Sequence, residues 1–366
     1  MNLTIEQVNA LPMPTWVHLG VNHTAIEEAV PVLAAAVAAE VPDLTRWAQG
    51  IRTDGTADMA GDITLAVGEN AAAFVQANKN AGASLTIAPG YIVPEPLVYR
   101  YDLSGEHNTV LDENLIIAGE GSSCTVVLVY RSVPGSGAFH GGVTRIAAGK
   151  NAVVNLLQVQ LLDDDAIHWQ DVGISTGENA RVRVTQIEVG AKRAVAGCYA
   201  RLHGAGSEQE ITAFYFGDGS RSLDFNHVVQ HVGRKTVSKI ETGGALLEKS
   251  NKIYRGTIDF VQGTRDAKGS ETEDTLLFSP EARNRSAPLI LCGEENVNGQ
   301  HAATIGRLDA GMLFYLNTRG ISETQAKQMM TEAQLQTALA WITDSPIGQE
   351  LRAAVLAHIA KRMGLA

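Results

Sequence analysis

The chain has 366 residues, 45% of them apolar, so it is long enough to bury a large core. Only 5% are aromatic while 36 are glycine, a mixture that suits many short strands and turns better than a helix bundle. The net charge of −11 disfavours nucleic acid and anionic membrane as partners; no run of 18 apolar residues is present, and MNLTIEQVNALP has no signal-peptide character, so a cytoplasmic protein is expected.

Residues 1–84 are expected to form an α-rich N-terminal region. Thr24 and Glu27 have the spacing of a capping box, and the alanine-rich run that follows predicts a helix to about Glu40, with Pro31 in its first turns. DITLAVGENAAAFVQANKNAG then predicts a strand and a shorter helix.

From Leu85 the texture changes to apolar alternation broken by glycine. IIAGEGSSCTVVLV, RIAAGKNAVVNLLQV, ISTGENARVRVTQI, HGAGSEQEITAF and QHVGRKTVSKIET each place a glycine and a few polar residues before an alternating strand. The glycines are Gly119, Gly149, Gly177, Gly206 and Gly233, continuing to Gly263 and Gly293, at steps of 30, 28, 29, 27, 30 and 30. A fixed period signals a stacked architecture, and the period-2 alternation excludes a helical solenoid. A coil of two or three strands, hydrogen-bonded to the next at about 4.8 Å, fits a unit of this length. Seven coils would make a rod of roughly 30 Å. A sandwich with evenly spaced turns is the alternative. The core is therefore assigned to residues 85–308 and a C-terminal helical region to 309–366. There Asp309 can cap AGMLFYLNTR, Gly320 can stop it, Ser322 and Gln325 form a capping box, and Pro346 opens the last helix.

Familiar catalytic signatures are missing: no P-loop, HExxH, GxSxG or EF-hand loop occurs. Cys124, Cys198 and Cys292 are unclustered and odd in number, which weighs against a disulfide framework and a structural zinc site and favours small buried hydrophobes. Asp163, Asp164 and Asp165 read as a solvated turn. His227 and His231 share a strand face but stand about 13 Å apart, too far to share a metal. His301 is isolated in an apolar run just before an aromatic helix.

The C-terminal part resembles the SufB/SufD family of iron–sulfur cluster assembly proteins. The resemblance is carried by TVSK at Thr236–Lys239, YRG at Tyr254–Gly256, DTLLFS at Asp274–Ser279, HAATIGRLD at His301–Asp309 and FYLNTRGI at Phe314–Ile321. It covers about 140 C-terminal residues strongly and the upstream coils weakly. LPMPTWVHLGVN near the start is similar to the opening of short family members.

The resemblance implies a mainly β fold, a right-handed parallel β-helix flanked by helical regions. It implies a non-catalytic scaffold or accessory subunit that pairs through its β-helix with a SufB-type subunit or with itself, and whose C-terminal region binds a SufC-type ABC ATPase. B-type subunits carry a cysteine just before DSLL and a glutamate on each side of the histidine. Here those places hold Glu273, Gln300 and Ala302, so the chain looks closest to the SufD type. Three scattered cysteines cannot supply the four thiolates of a conventional cluster. A transient cluster at a subunit interface is the expectation, with His301 as metal ligand and Glu273 as a further ligand or proton acceptor. No nucleotide is expected on this chain. The resemblance implies that Met312, Leu313, Phe314, Tyr315, Arg319 and Gly320 dock the ATPase; successive helical residues turn by about 100°, so Phe314, Tyr315 and Arg319 cannot all be buried on one side. A purely structural adaptor and a carbohydrate-active β-helix enzyme are the competing readings.

Overall fold

The computed structural model describes residues 2–31, 33–34, 38–55, 63–307 and 310–365. The N-terminal region contributes β1 (Asn2–Val8), β2 (Thr24–Ala29), β3 (Ala38–Glu40), β4 (Ile51–Arg52) and α1 (Glu69–Asn78). Next come β5 (Ser84–Ile87), β6 (Leu97–Leu103), β7 (Thr109–Ala118), β8 (Ser123–Ser132), β9 (Phe139–Ala148), β10 (Val153–Leu161), β11 (Ile167–Thr176) and β12 (Arg181–Glu188). The series continues through β13 (Arg193–Leu202), β14 (Glu208–Gly217), β15 (Ser222–His231), β16 (Val237–Leu246), β17 (Asn251–Phe260), β18 (Ala267–Leu277), β19 (Arg283–Cys292) and β20 (Val297–Gly306). Helices α2 (Ala310–Thr318), α3 (Glu323–Leu339) and α4 (Pro346–Arg362) close the chain.

Two strands make each coil. The even strands from β6 to β20 stack into one parallel sheet and the odd strands from β5 to β19 into the other, a β-solenoid of about eight turns. Ser123, Val153, Arg181, Glu208, Val237, Lys268 and Asn298 lie in register, so the repeat steps by 30, 28, 27, 29, 31 and 30 residues. The glycine count differs from this at two places, Gly206 and Gly263. Gly204, two residues before Gly206, belongs to the stacked column: its N–H donates to Thr176, as that of Gly177 does to Ala148. A side chain at Gly177 would meet the Lys150 nitrogen at 2.8 Å, and one at Gly233 the His203 oxygen at 2.6 Å. Close backbone approach therefore selects glycine in this column. Gly206 and Gly263 are turn residues with φ of +70° and +97°.

Alternation builds the core. Val126, Leu128, Val154, Leu156, Val182, Val184, Ile211 and Ile240 form one buried cluster between the sheets. The intervening residues of the even sheet, among them Val127, Leu157, Ile187 and Phe214, pack against Leu335, Leu339, Leu351 and Val355 of α3 and α4. On the odd sheet, Leu111, Phe139, Trp169 and Val195 pack against β1, β2 and α1. Burial on both faces explains near-continuous apolar runs such as VVLV.

The helix expected from Thr24 is corrected: Thr24–Ala29 is a strand, paired antiparallel with β1 and with Ile5 opposite Ile26. The Thr24 hydroxyl donates to Asp224 (2.7 Å) in place of capping a helix, and Ile26 is buried against the odd sheet's cluster. Tertiary burial outweighs alanine's helix preference here. Part of that stretch, and the Asp309 cap, lie outside the described residues. The short helix is present as α1, but Ile63–Val67 is not a strand. It runs over Gly173 and Gly197, where any side chain would collide with it, and the N–H groups of Ala66, Val67 and Gly68 donate to Asp171 at 2.9, 2.8 and 3.2 Å.

At the C-terminus the Ser322–Gln325 capping box forms, Ser345 caps α4 with Pro346 in its first turn, and Gly320 has φ of +79°. The aspartates read as a turn do sit between β10 and β11. Asp163 and Asp165 accept from Gly135 and Gly137, and Asp164 pairs with Arg221 and with Arg362 of α4.

Candidate functional site

The two ends of the solenoid are built differently. At the first, β3 pairs antiparallel with β6 and β4 with β5, while Trp47 and Ile51 close the core beside Leu85 and Leu97. At the last, among the described residues, β19 and β20 have strand neighbours on one side only. Residues of β20 that continue the inward-facing ladder end in solvent: His301 stands in register above Glu271, Ala303 above Glu273 and Ile305 above Thr275. The three residues beneath are buried, whereas His301 and Ala303 are exposed and Ile305 is 56% exposed. Inward-facing side chains are thus presented by an uncapped rung.

The rung below is polar and tightly bound. Lys252 is fully buried and forms an ion pair with Glu273. Its ammonium also reaches the Tyr215 hydroxyl and the Thr275 hydroxyl, each at 3.2 Å, and lies 4.6 Å from the centre of the Tyr215 ring. Ser286 donates to Glu273 at 2.8 Å. Glu271 is different: its Oε2 is buried without a hydrogen-bond partner. Burial, reinforced by the charge of Glu273 and opposed by a hydrogen bond from Tyr254, pushes its carboxyl up to about 7. An acid poised near neutrality therefore lies directly beneath the exposed imidazole.

The histidines of the interior are structural. His231 is bonded to Thr236 (2.7 Å) and Ser238 (2.9 Å), and His227 to Gln186 (3.1 Å). His140 contacts Asp112 (2.6 Å) and His168 (2.7 Å). Burial holds His227 down to about 3 and His140 and His231 to about 4, so all three are neutral near pH 7. Among the thiols, Cys124 and Cys198 are buried, with the Cys124 thiol pushed up to about 12 by burial, so they behave as hydrophobes. Cys292, in register with Phe260, ends β19 on the last rung and is exposed. Among the described residues no cluster of three or more His, Cys, Asp or Glu can hold a metal ion.

Helix α2 follows the open rung. Phe314 is 72% exposed, and Met312, Tyr315, Arg319 and Gly320 are exposed too, with Leu313 half-buried. The Arg319 guanidinium lies 5.3 Å from the Tyr315 ring centre. His301 and these residues are thus carried by adjoining elements, β20 and α2.

Residues 101–334 match the family model described as SUF system FeS cluster assembly, SufBD core domain. The chain belongs to the SufBD family. SufD of Bacillus subtilis is 24% identical over 253 residues, covering 69% of this chain and 58% of that protein. A SufBD family iron–sulfur cluster assembly protein of Mycobacterium bovis is 23% identical over 336 residues, covering 82% and 83%. One from Staphylococcus saprophyticus is 24% identical over 252 residues, covering 68% and 54%. The chain thus spans little more than half of several relatives it matches. Among the described residues, no helix is long and apolar enough to cross a membrane.

The SufBD core match contains His301, Glu273 and the α2 patch, and also two residues that motif reading passed over. Glu271 and Lys252 belong to the same polar rung. The signal for Glu271 was available: in ETEDT, strict alternation places Glu271 and Glu273 on one face of β18. Lys252 had none, because a lysine opening a strand looks solvated until the turn geometry is known.

Proposed function

We propose that this chain is a scaffold or accessory subunit of an iron–sulfur cluster assembly complex, of the SufD type. It pairs through its last rung with a SufB-type subunit or a second copy, and presents α2 to an ABC-type ATPase. The observation that carries this reading is the uncapped rung, which leaves the inward-facing His301 and Ile305 in solvent while the other end is sealed. The cluster is cargo, held between subunits. His301 would supply one imidazole, with Glu271 beneath it to take up or release a proton. Glu273, already held by Lys252, would shape the rung below. Thiolate and further ligands would come from the partner, and such mixed ligation suits a cluster meant to leave.

The exposed face of α2 supports the docking part of the reading. Burying Met312, Phe314 and Tyr315 would remove apolar surface from water at roughly 25 cal/mol per Å². The subunit itself would be non-catalytic and bind no nucleotide. Asp163–Asp165, the acidic run a carbohydrate-active enzyme would need, are committed to turn and helix contacts, which favours the assembly reading.

The test is His301→Ala in the complex purified from its host. Loss of cluster formation with the complex intact supports the scaffold reading. Full activity would reduce the chain to an adaptor without a ligand.

A further inference from the structure

Far below the open rung, the apolar interior is interrupted by a row of four titratable side chains. Asp112 of β7, His140 of β9, His168 of β11 and Glu188 of β12 are all fully buried. They meet in three contacts: Asp112 Oδ1 with His140 Nε2 at 2.6 Å, His140 Nδ1 with His168 Nδ1 at 2.7 Å, and His168 Nε2 with Glu188 Oε2 at 3.5 Å. The two imidazoles meet edge to edge, since their planes are 18° apart and their centres, at 4.7 Å, are farther apart than the facing nitrogens. Asn114 and Tyr130 (2.9 Å) donate to the far oxygen of Asp112, and Gln170 and Gln160 (3.4 Å) donate to Glu188. The neighbouring titratable groups are Tyr101 of β6, stacked on Tyr130, Cys198 of β13, and Tyr215 of β14, in register with Glu188 and bonded through its hydroxyl to Thr275. Burial raises Tyr101, Tyr130, Cys198 and Tyr215, so all four stay uncharged near neutrality.

The protons of this row can be counted. An ionised carboxylate only accepts, and a neutral imidazole carries one proton. Each contact joins two atoms that repel unless one of them carries hydrogen. Three contacts need three protons, and two neutral imidazoles bring two. The total is the same for either order of tautomers: the third proton sits at the Glu188 end or, once each proton has moved by one bond, on Asp112. With only two, one contact would set two lone pairs face to face where no water relieves them. Asn114 also lines an open cleft of about 530 Å³, beside Lys79, Glu113 and Arg145, so the Asp112 end lies one side chain from solvent.

We propose that Asp112, His140, His168 and Glu188 form a buried proton-binding site, which at neutral pH holds one proton more than two neutral imidazoles supply. Loss of that proton would set β7, β9, β11 and β12 against one another, which makes the middle of the solenoid sensitive to pH whatever the last rung binds. Urea unfolding of the full chain from about pH 6.5 to 8.5 tests this, a window above the ordinary histidine value in which the unfolded groups hold no such proton. The folded state then binds one proton more than the unfolded state, so stability falls as pH rises and levels off once the proton has left. In Glu188→Gln the amide donates to His168 in the proton's place and still accepts from Gln170. Relative to that variant, the unfolding constant of wild type should rise by up to about tenfold per pH unit. Asp112→Asn should behave like Glu188→Gln, its amide donating to His140; if it does not fold, Glu188→Gln alone carries the comparison. Other buried groups are common to these proteins and cancel in the ratio. The double variant would bring four protons to three contacts and should unfold at lower urea than Glu188→Gln. A ratio that stays flat across the window, or a double variant as stable as Glu188→Gln, overturns the proposal.

Discussion

One end of this solenoid is finished within the chain and the other is not. Each rung buries its inward side chains only because a further rung lies on top, so a stack must be closed twice. At the first end the same chain supplies the closure: β3 and β4 pair antiparallel with β6 and β5, and Trp47 packs into the core. At the last end the inward ladder stops at His301, Ala303 and Ile305, facing water. The contrast separates what holds the fold from what the fold offers to another molecule.

Equal truncations at the two ends should break the symmetry most clearly. Trp47→Ala removes a large buried side chain and should cost about 3–5 kcal/mol in urea unfolding. A cost below about 1 kcal/mol would mean that the first end is not sealed by Trp47. Next in size is a charge effect just beneath the open rung. Glu271 carries its proton more readily in the folded chain, about 7 against an ordinary 4.5. Folding is therefore unpenalised below pH 4.5, and the penalty grows as pH rises to about 7 and then levels off. Glu271→Gln should gain stability relative to wild type across that window, on the order of 3 kcal/mol at its top. The buried neutral histidines act oppositely, costing stability as pH falls below 6.5, but they do so in both proteins and cancel in the difference. An equal gap at pH 4.5 and pH 8 would show that Glu271 is not forced toward protonation.

The glycine column offers a third and smaller test, now of the shaft between the ends. Gly204→Ala would push a methyl group into the backbone at Gly177, at a cost of about 1–3 kcal/mol. Gly206→Ala, two residues on, meets a positive φ of +70° and should cost about 1 kcal/mol. Thermal midpoints of the two variants decide which glycine belongs to the stack, and a larger loss at Gly206 would return the column to the even count read from the sequence.

The solenoid was legible because its repeat is enforced by alternation and by a backbone column that selects glycine at most coils, both of which act within a single strand and turn. The place of His301 in the last coil was legible for the same reason. The N-terminal ribbon was not. Thr24–Ala29 is helical by local preference, and what overrides that preference is contact with Asp224, some 200 residues away. The polar rung was half legible: Glu273 stood out by its place in a motif, whereas Glu271 and Lys252 gain their character only from burial between two sheets. Nothing local to the sequence says that Ile305, an ordinary strand isoleucine, ends in solvent.

That isoleucine carries the smallest stability effect and the sharpest consequence. Ile305 is in register with buried Thr275, so in a continuing stack its replacement by serine would cost 2 kcal/mol or more, on the order of a lost core side chain. On an open rung it is already 56% exposed, and Ile305→Ser in the isolated chain should change stability by less than about 0.5 kcal/mol. If a partner completes the stack, the same substitution should weaken association by about tenfold or more, because the side chain is buried only in the pair. Urea unfolding of dilute protein and sedimentation of concentrated protein read the two quantities separately. A large loss in the first would mean that the rung is already closed within one chain. No loss in either would leave the open end without a partner at this position, and the difference between the two ends would be one of shape alone.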